Sequence, residues 1–251
     1  MNLDISKLLT EWPYEPGTIN ARLIEAEDGD QRIQVRIDLG ILQMYVDGRP
    51  DGQQPYGYTS LLEYYEAKHD ELSEQGSPEK FKLNEDDCKA LREEAVQYYH
   101  RYIALLALED YEGVVRDTTR NLRVLDLCAK HAETESDRQF LEQFRPYITM
   151  MRTRAMASQA VKDNEPKAAI LAIDQGLDVL RQFFADHGEP GEFDQSAEVQ
   201  MLRGMRDSLV PKLPVSQKSE LKERLQKALE QENYELAAIL RDELKMMKDV
   251  P

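Results

Sequence analysis

The apolar pattern of this chain predicts a mainly α-helical fold with a small N-terminal β-hairpin element, and three observations carry that prediction. From Thr59 onward apolar residues recur at helical spacing, while strand-like alternation is confined to the first 55 residues. A short acidic turn followed by small apolar residues also recurs three times between helical stretches. The expected organisation is a small α+β region over 1–83, a tetratricopeptide-like bundle of helical hairpins over 84–210, and an antiparallel two-helix hairpin over 216–249.

The β element rests on Arg32 to Leu39, a strict polar/apolar alternation that reads as a half-buried strand. Ile19, Ala21 and Leu23 alternate in the same way, and Asp28-Gly29 supplies a turn. A three-residue loop over Asp28–Asp30 would place Ile19, Ala21 and Leu23 on the face of Val35, Ile37 and Leu39. Gly40 interrupts the alternation before Ile41, Leu42, Met44 and Val46, so either a bulge or a third strand follows. Asp47 to Gly52 is a loop by its turn chemistry.

Ser60 and Glu63 have capping-box spacing and open a helix from Leu61 to Ser73, which Gly76-Ser77-Pro78 ends. After a linker to about Asn84, helices are predicted over 86–108, 111–131, 136–162, 166–186, 195–209, 217–231 and 234–248. The repeated turn aligns Glu109 to Val115 with Asp163 to Ala169, 54 residues apart, and again with Glu232 to Ala238. Small residues there let antiparallel helices approach closely. Pro211 and Pro214 stop a helix and separate the last hairpin, which is expected to be a mobile module.

Composition narrows the function classes. The chain has 251 residues, 32 basic against 48 acidic side chains and a formal charge of -16, with a mean hydropathy of -0.64. A surface of that sign repels phosphate backbones, so no direct nucleic-acid binding is expected. No apolar run reaches membrane-spanning length and the N-terminus lacks a secretion pattern, so a cytoplasmic protein without membrane attachment is expected. Residues 216–251 are nearly neutral, with 7 basic and 8 acidic side chains. Cys88 and Cys128 make neither a disulfide framework nor a thiolate zinc site, and are expected to be buried, reduced core thiols.

The C-terminal hairpin has an apolar stripe at Leu221, Leu225 and Ala228, then Glu232-Asn233-Tyr234-Glu235, the small pair Ala237-Ala238, Leu240, Arg241-Asp242 and Leu244. This closely resembles the UVR motif shared by subunits B and C of the bacterial UvrABC excision nuclease, which also occurs in some partner proteins of chaperones and protein-arginine kinases. The resemblance covers about 30 residues and implies a protein-interaction element that pairs with another UVR-type hairpin, in a partner or in a second copy of itself. On that resemblance the partner-binding residues are Leu221, Leu225, Ala228, Tyr234, Ala237, Ala238, Leu240, Arg241 and Leu244. Leu221, Leu225 and Ala228 would face Ala237, Leu240 and Leu244, with Tyr234 at the tip. The stretches Asp38 to Met44 and Asp47 to Gly52 also look like uncharacterised bacterial proteins that carry this motif at their C-terminus. The nuclease and helicase motifs of the excision subunits are absent, as are the zinc-binding cysteine pairs of arginine-kinase activators.

Other constellations point to ordinary structure. His69, His100, His131 and His187 have no metal-ligand spacing, and no phosphate-binding glycine loop occurs, so neither a metal nor a cofactor is expected. Tyr98 to Tyr102 could stack bases, but the expectation is aromatics packed between helices with Arg101 reaching outward. Met150, Met151, Met156, Met201 and Met205 are expected to fill the core. Arg49, in an acidic turn-rich loop, is either half of a turn-stabilising ion pair or a ligand-reading arginine. The sequence thus predicts a non-enzymatic adaptor linked to nucleotide-excision repair. The alternatives are an adaptor of protein quality control, recruiting a chaperone ATPase or arginine kinase, and a ligand-binding protein or hydrolase built on the Arg49 loop.

Overall fold

The computed structural model describes residues 4–210, 217–230, 236 and 240–241, and along these the chain is mainly helical. The N-terminal alternation forms three antiparallel strands, β1 Asn20–Glu25, β2 Gln31–Ile37 and β3 Gly40–Tyr45, with β2 in the centre. Gly40 thus opens a third strand rather than a bulge. The first turn spans Glu27–Gly29, one residue earlier than expected: the Ala26 amide donates to the Asp30 carbonyl at 2.9 Å and Gly29 takes φ 85°. Leu23 therefore lies opposite Ile33, and Ala21 opposite Val35. Because side chains alternate with period two, the shift changes partners by two positions and keeps every side chain on its expected face.

The polar face of the sheet departs from the expectation. A half-buried strand should leave Arg32, Gln34 and Arg36 in water, yet all three are buried. Planar polar groups cover one another there and satisfy their hydrogen bonds. Arg22 donates to Gln34 Oε1 at 2.7 and 2.9 Å, and Gln34 donates to Gln43 at 2.8 Å. The Arg32 guanidinium lies 3.8 Å from the Tyr45 ring centre, and that of Arg22 lies 4.0 Å from Trp12. Trp12 arrives on a short helix, α1 Ser6–Glu11, and its carbonyl accepts from Arg36 Nε at 2.7 Å. Six residues are too few to show a helical period, which is why the sequence pattern does not signal α1.

Helix α2 spans Leu61–Glu74, with the Ser60 hydroxyl accepting from the Glu63 amide at 3.2 Å as its spacing predicts. The linker that follows is part of the core. Phe81 and Leu83 are buried, and Leu83 exchanges 2.9 Å backbone bonds with His131 and Glu133. Asn84 and Asp87 make a capping box for α3 Glu85–Ala107, which runs antiparallel to α4 Tyr111–His131. The single helix expected over 136–162 is broken into α5 Glu135–Phe140, a 3-10 turn at Glu142–Phe144, and α6 Arg145–Lys162. Pro146 stands in the first turn of α6, because inside a continuous helix its ring would clash with the carbonyl four residues back. Helix α7 Pro166–Asp186 returns along α6, and α8 Ala197–Leu209 follows.

The repeated turn is real, with a corrected alignment. Glu109 and Asn164 both take left-handed backbone, at φ 57° and 62°. The next amides, Asp110 and Glu165, donate to carbonyls five residues back, Leu105 and Ala160, at 2.9 and 2.8 Å. Equivalent positions are therefore Glu109 and Asn164, one residue further along than the sequence alignment puts them. The small-residue rule holds, since Val114 and Ala169 at the start of the returning helices are fully buried. Farther along α7, an added Cβ on Gly176 would collide with Thr153 of α6, so Gly176 permits a close crossing. Of the methionines, Met150 and Met151 fill the core, whereas Met156 and Met201 are exposed. Contacts divide the chain into two units, Met1–Asp207 and Ser208–Pro251; the second contains α9 Gln217–Glu230.

Candidate partner-binding hairpin

Helix α9 begins beyond the two prolines and carries Leu225 and Ala228 three residues apart, hence on one face. Leu240 lies in helical backbone on the returning segment. Ala228 and Leu240 are each 2% exposed and pack together with Leu225 against them. Three of the motif residues are thus brought together in one buried seam. Burying a leucine there contributes about 1.5 to 3 kcal/mol. Arg241 is exposed. The backbone of Leu221 is helical; Tyr234, Ala237, Ala238 and Leu244 lie outside the described residues.

Two leucines that the sequence analysis did not select stand at the surface. Leu229 is 46% exposed and Leu236 is 38% exposed. Leu229 follows Ala228 by one residue and Leu225 by four, so it is turned about 100° from Ala228 but only about 40° from Leu225, at the edge of the seam. That offset is legible in the sequence, but only once Ala228 is known to face inward.

The Arg49 loop has a different character. The Arg49 side chain is largely buried, with Nε 3.2 Å from Asp51 and 3.4 Å from Glu94. Glu94 is buried on α3, accepts from the Leu61 amide at 2.9 Å, and also pairs with Arg120. Burial, with Arg123 and Arg49 nearby, pushes the Arg120 guanidinium down to about 9. Arg49 therefore sits in an ion-pair network that ties the loop to α2 and α3.

Arg101 overturns its expectation. It is 1% exposed rather than outward-reaching, and donates to both carboxylate oxygens of Asp117 at 2.7 and 2.8 Å. Its Nη1 donates to the carbonyls of Tyr45 and Gly48 at 3.0 and 2.8 Å. Arg116 adds bonds to Asp47 and to the Val46 carbonyl, each 2.8 Å. Arg101 of the suspected base-stacking patch, together with Arg116 of α4, is thus committed to holding the loop after β3. Among the described residues no cluster of histidine, cysteine and carboxylate side chains is arranged to hold a metal, and no helix is long and apolar enough to cross a membrane.

Comparison with known proteins agrees with the hairpin geometry. The UvrB/uvrC motif model matches residues 216–250. UvrABC system protein B of Chlorobaculum tepidum is 29% identical over 163 residues, which cover 59% of this chain and 23% of that protein. The chain thus spans less than a quarter of the relative it matches. No solved structure matches. The seam of Leu225, Ala228 and Leu240 falls inside the matched segment, and the chain carries a UVR motif in its C-terminal unit.

Proposed function

We propose that this chain is a non-enzymatic cytoplasmic adaptor that docks a protein partner through its C-terminal UVR hairpin, without direct nucleic-acid contact. The partner presents a UVR-type hairpin, either from another protein or from a second copy of this chain. The observation that carries the proposal is the division of apolar residues in the hairpin. Leu225, Ala228 and Leu240 are used inside, while Leu229 and Leu236 remain exposed. A two-helix module of about 30 residues gains stability when a second hairpin covers an exposed leucine such as Leu229. Similarity to an excision-system B protein supports nucleotide-excision repair as the setting.

The test is affinity capture from native bacterial lysate, using the full chain, a version ending at Pro211, and Leu229→Asp. Capture of an excision subunit by the full chain, lost on truncation and weakened at least about tenfold by Leu229→Asp, is expected. Identical partners on all three baits would refute docking through the hairpin. Capture of a chaperone ATPase or an arginine kinase instead would keep the docking mode and replace excision repair by protein quality control.

A further inference from the structure

The helix break at Leu141 to Arg145 separates α5 from α6. It turns Phe140 and Phe144 toward α3, where they meet Val96, Tyr99, His100 and Tyr147 around one cleft of about 600 Å3. Leu125 and Ile148 also line it. Val96, Phe140, Phe144 and Tyr99 are 52%, 49%, 45% and 40% exposed. Single exposed apolar side chains are ordinary, but four converging on one concavity of small-molecule size mark a binding site.

The charges around the cleft are already compensated. Arg92 is paired with Asp137 at 2.7 Å, and its guanidinium lies 4.9 Å from the Phe140 ring. The Asn121 amide is spent on the Ala95 carbonyl at 2.9 Å, and its oxygen accepts from Arg120 at 3.1 Å. Burial holds the His100 imidazole below its ordinary value, so it is a neutral donor or acceptor at pH 7. An anionic ligand would lose its hydration there and find no free cation. Aromatic rings dominate the walls, with Tyr99 and Tyr147 at 6.4 Å and Phe140 and Phe144 at 6.5 Å between centroids. Such walls favour π contacts with another ring system.

We propose that this cleft binds an uncharged, planar aromatic small molecule, held by ring contacts and one hydrogen bond to His100. The site is independent of the docking hairpin, so either assignment can fail alone. The test titrates the full chain with phenylnaphthylamine, an uncharged dye that brightens in apolar sites. Saturable one-to-one binding with a dissociation constant on the order of micromolar is expected. Val96→Trp places an indole in the mouth and should weaken binding by at least about tenfold, with an unchanged melting temperature because Val96 is exposed. Anilinonaphthalene sulfonate, nearly the same shape with a negative charge, should also bind at least about tenfold more weakly. Non-saturable dye binding, equal affinity in Val96→Trp, or equal affinity for the sulfonate would overturn the proposal. Displacement of the dye by an amphipathic helical peptide at lower concentration than by naphthalene would replace it with peptide docking.

Discussion

Replacing Asp117 with alanine removes one half of a pair that is closed to solvent on both sides: the Arg101 and Asp117 side chains are each 1% exposed. Arg101 would keep its bonds to the Tyr45 and Gly48 carbonyls, but lose both charged bonds to Asp117, and Arg116 would lose a third at 3.0 Å. Carbonyl dipoles alone do not compensate a buried guanidinium. Breaking a buried pair from one side costs about 3 to 5 kcal/mol, much of it the exposed debt of the remaining charge. For a chain of this size the melting temperature should fall by roughly 6 to 20 °C. The assay is urea and thermal unfolding followed by far-UV circular dichroism and by fluorescence of Trp12, the only tryptophan. A double variant, Arg101→Met with Asp117→Leu, removes both charges and should be less destabilised than Asp117→Ala alone. A loss under about 1 kcal/mol for Asp117→Ala would refute the claim that this pair is closed to water. A double variant weaker than the single one would show that the bonds from Arg101 to the Tyr45–Gly48 loop matter more than the charge pair.

Three further outcomes follow from local geometry. Gly176→Ala should lower stability by about 1 to 2 kcal/mol, because overlap with Thr153 outweighs the gain in helix propensity; a raised melting temperature would contradict the close crossing. Cys88 and Cys128 are fully buried, and the Cys128 thiol is held above its ordinary value by its hydrogen bond with Cys88 and by burial. Both should resist an aromatic disulfide reagent in the folded protein and react in urea; fast native reaction would place them nearer solvent. His131 is lowered by burial, with His69 and Lys130 adding to the effect. The folded state therefore prefers the neutral ring, and the stabilisation is present above the ordinary histidine pKa of about 6.5 and lost as pH falls toward the lower folded value. The urea midpoint should be lower at about pH 5.5 than at about pH 7.5, and His131→Asn should shrink that difference. A difference unchanged by His131→Asn would assign it to other groups.

Much of the architecture was legible because it depends on short-range pattern. The cap at Ser60, the faces of β1 and β2, the turns after α3 and α6 and the helix α9 follow from periodicity and backbone stereochemistry within a few residues. The motif at 216–250 was equally local, since its recognition needs only spacing. Misplacements came where two chain segments share a decision. The hairpin register moved by two positions because either loop keeps the same face, and the break before α6 depends on whether the residues around Pro146 gain more by bending than by continuing.

Side-chain fate belonged to the tertiary structure. Arginine pays for burial only when partners arrive from elsewhere in the chain, and for Arg101 these are Asp117, sixteen residues on, and two carbonyls more than fifty residues back. The same holds for the polar face of the sheet, which Trp12 and neighbouring strands cover, and for the aromatic cleft, which exists only because a broken helix folds over α3. Sequence by itself determined which residues could form helices, strands and a UVR motif, because those choices are made by the backbone and its nearest neighbours. Tertiary structure decided which polar groups are buried and which apolar ones stay exposed, because both depend on desolvation by residues distant in the chain.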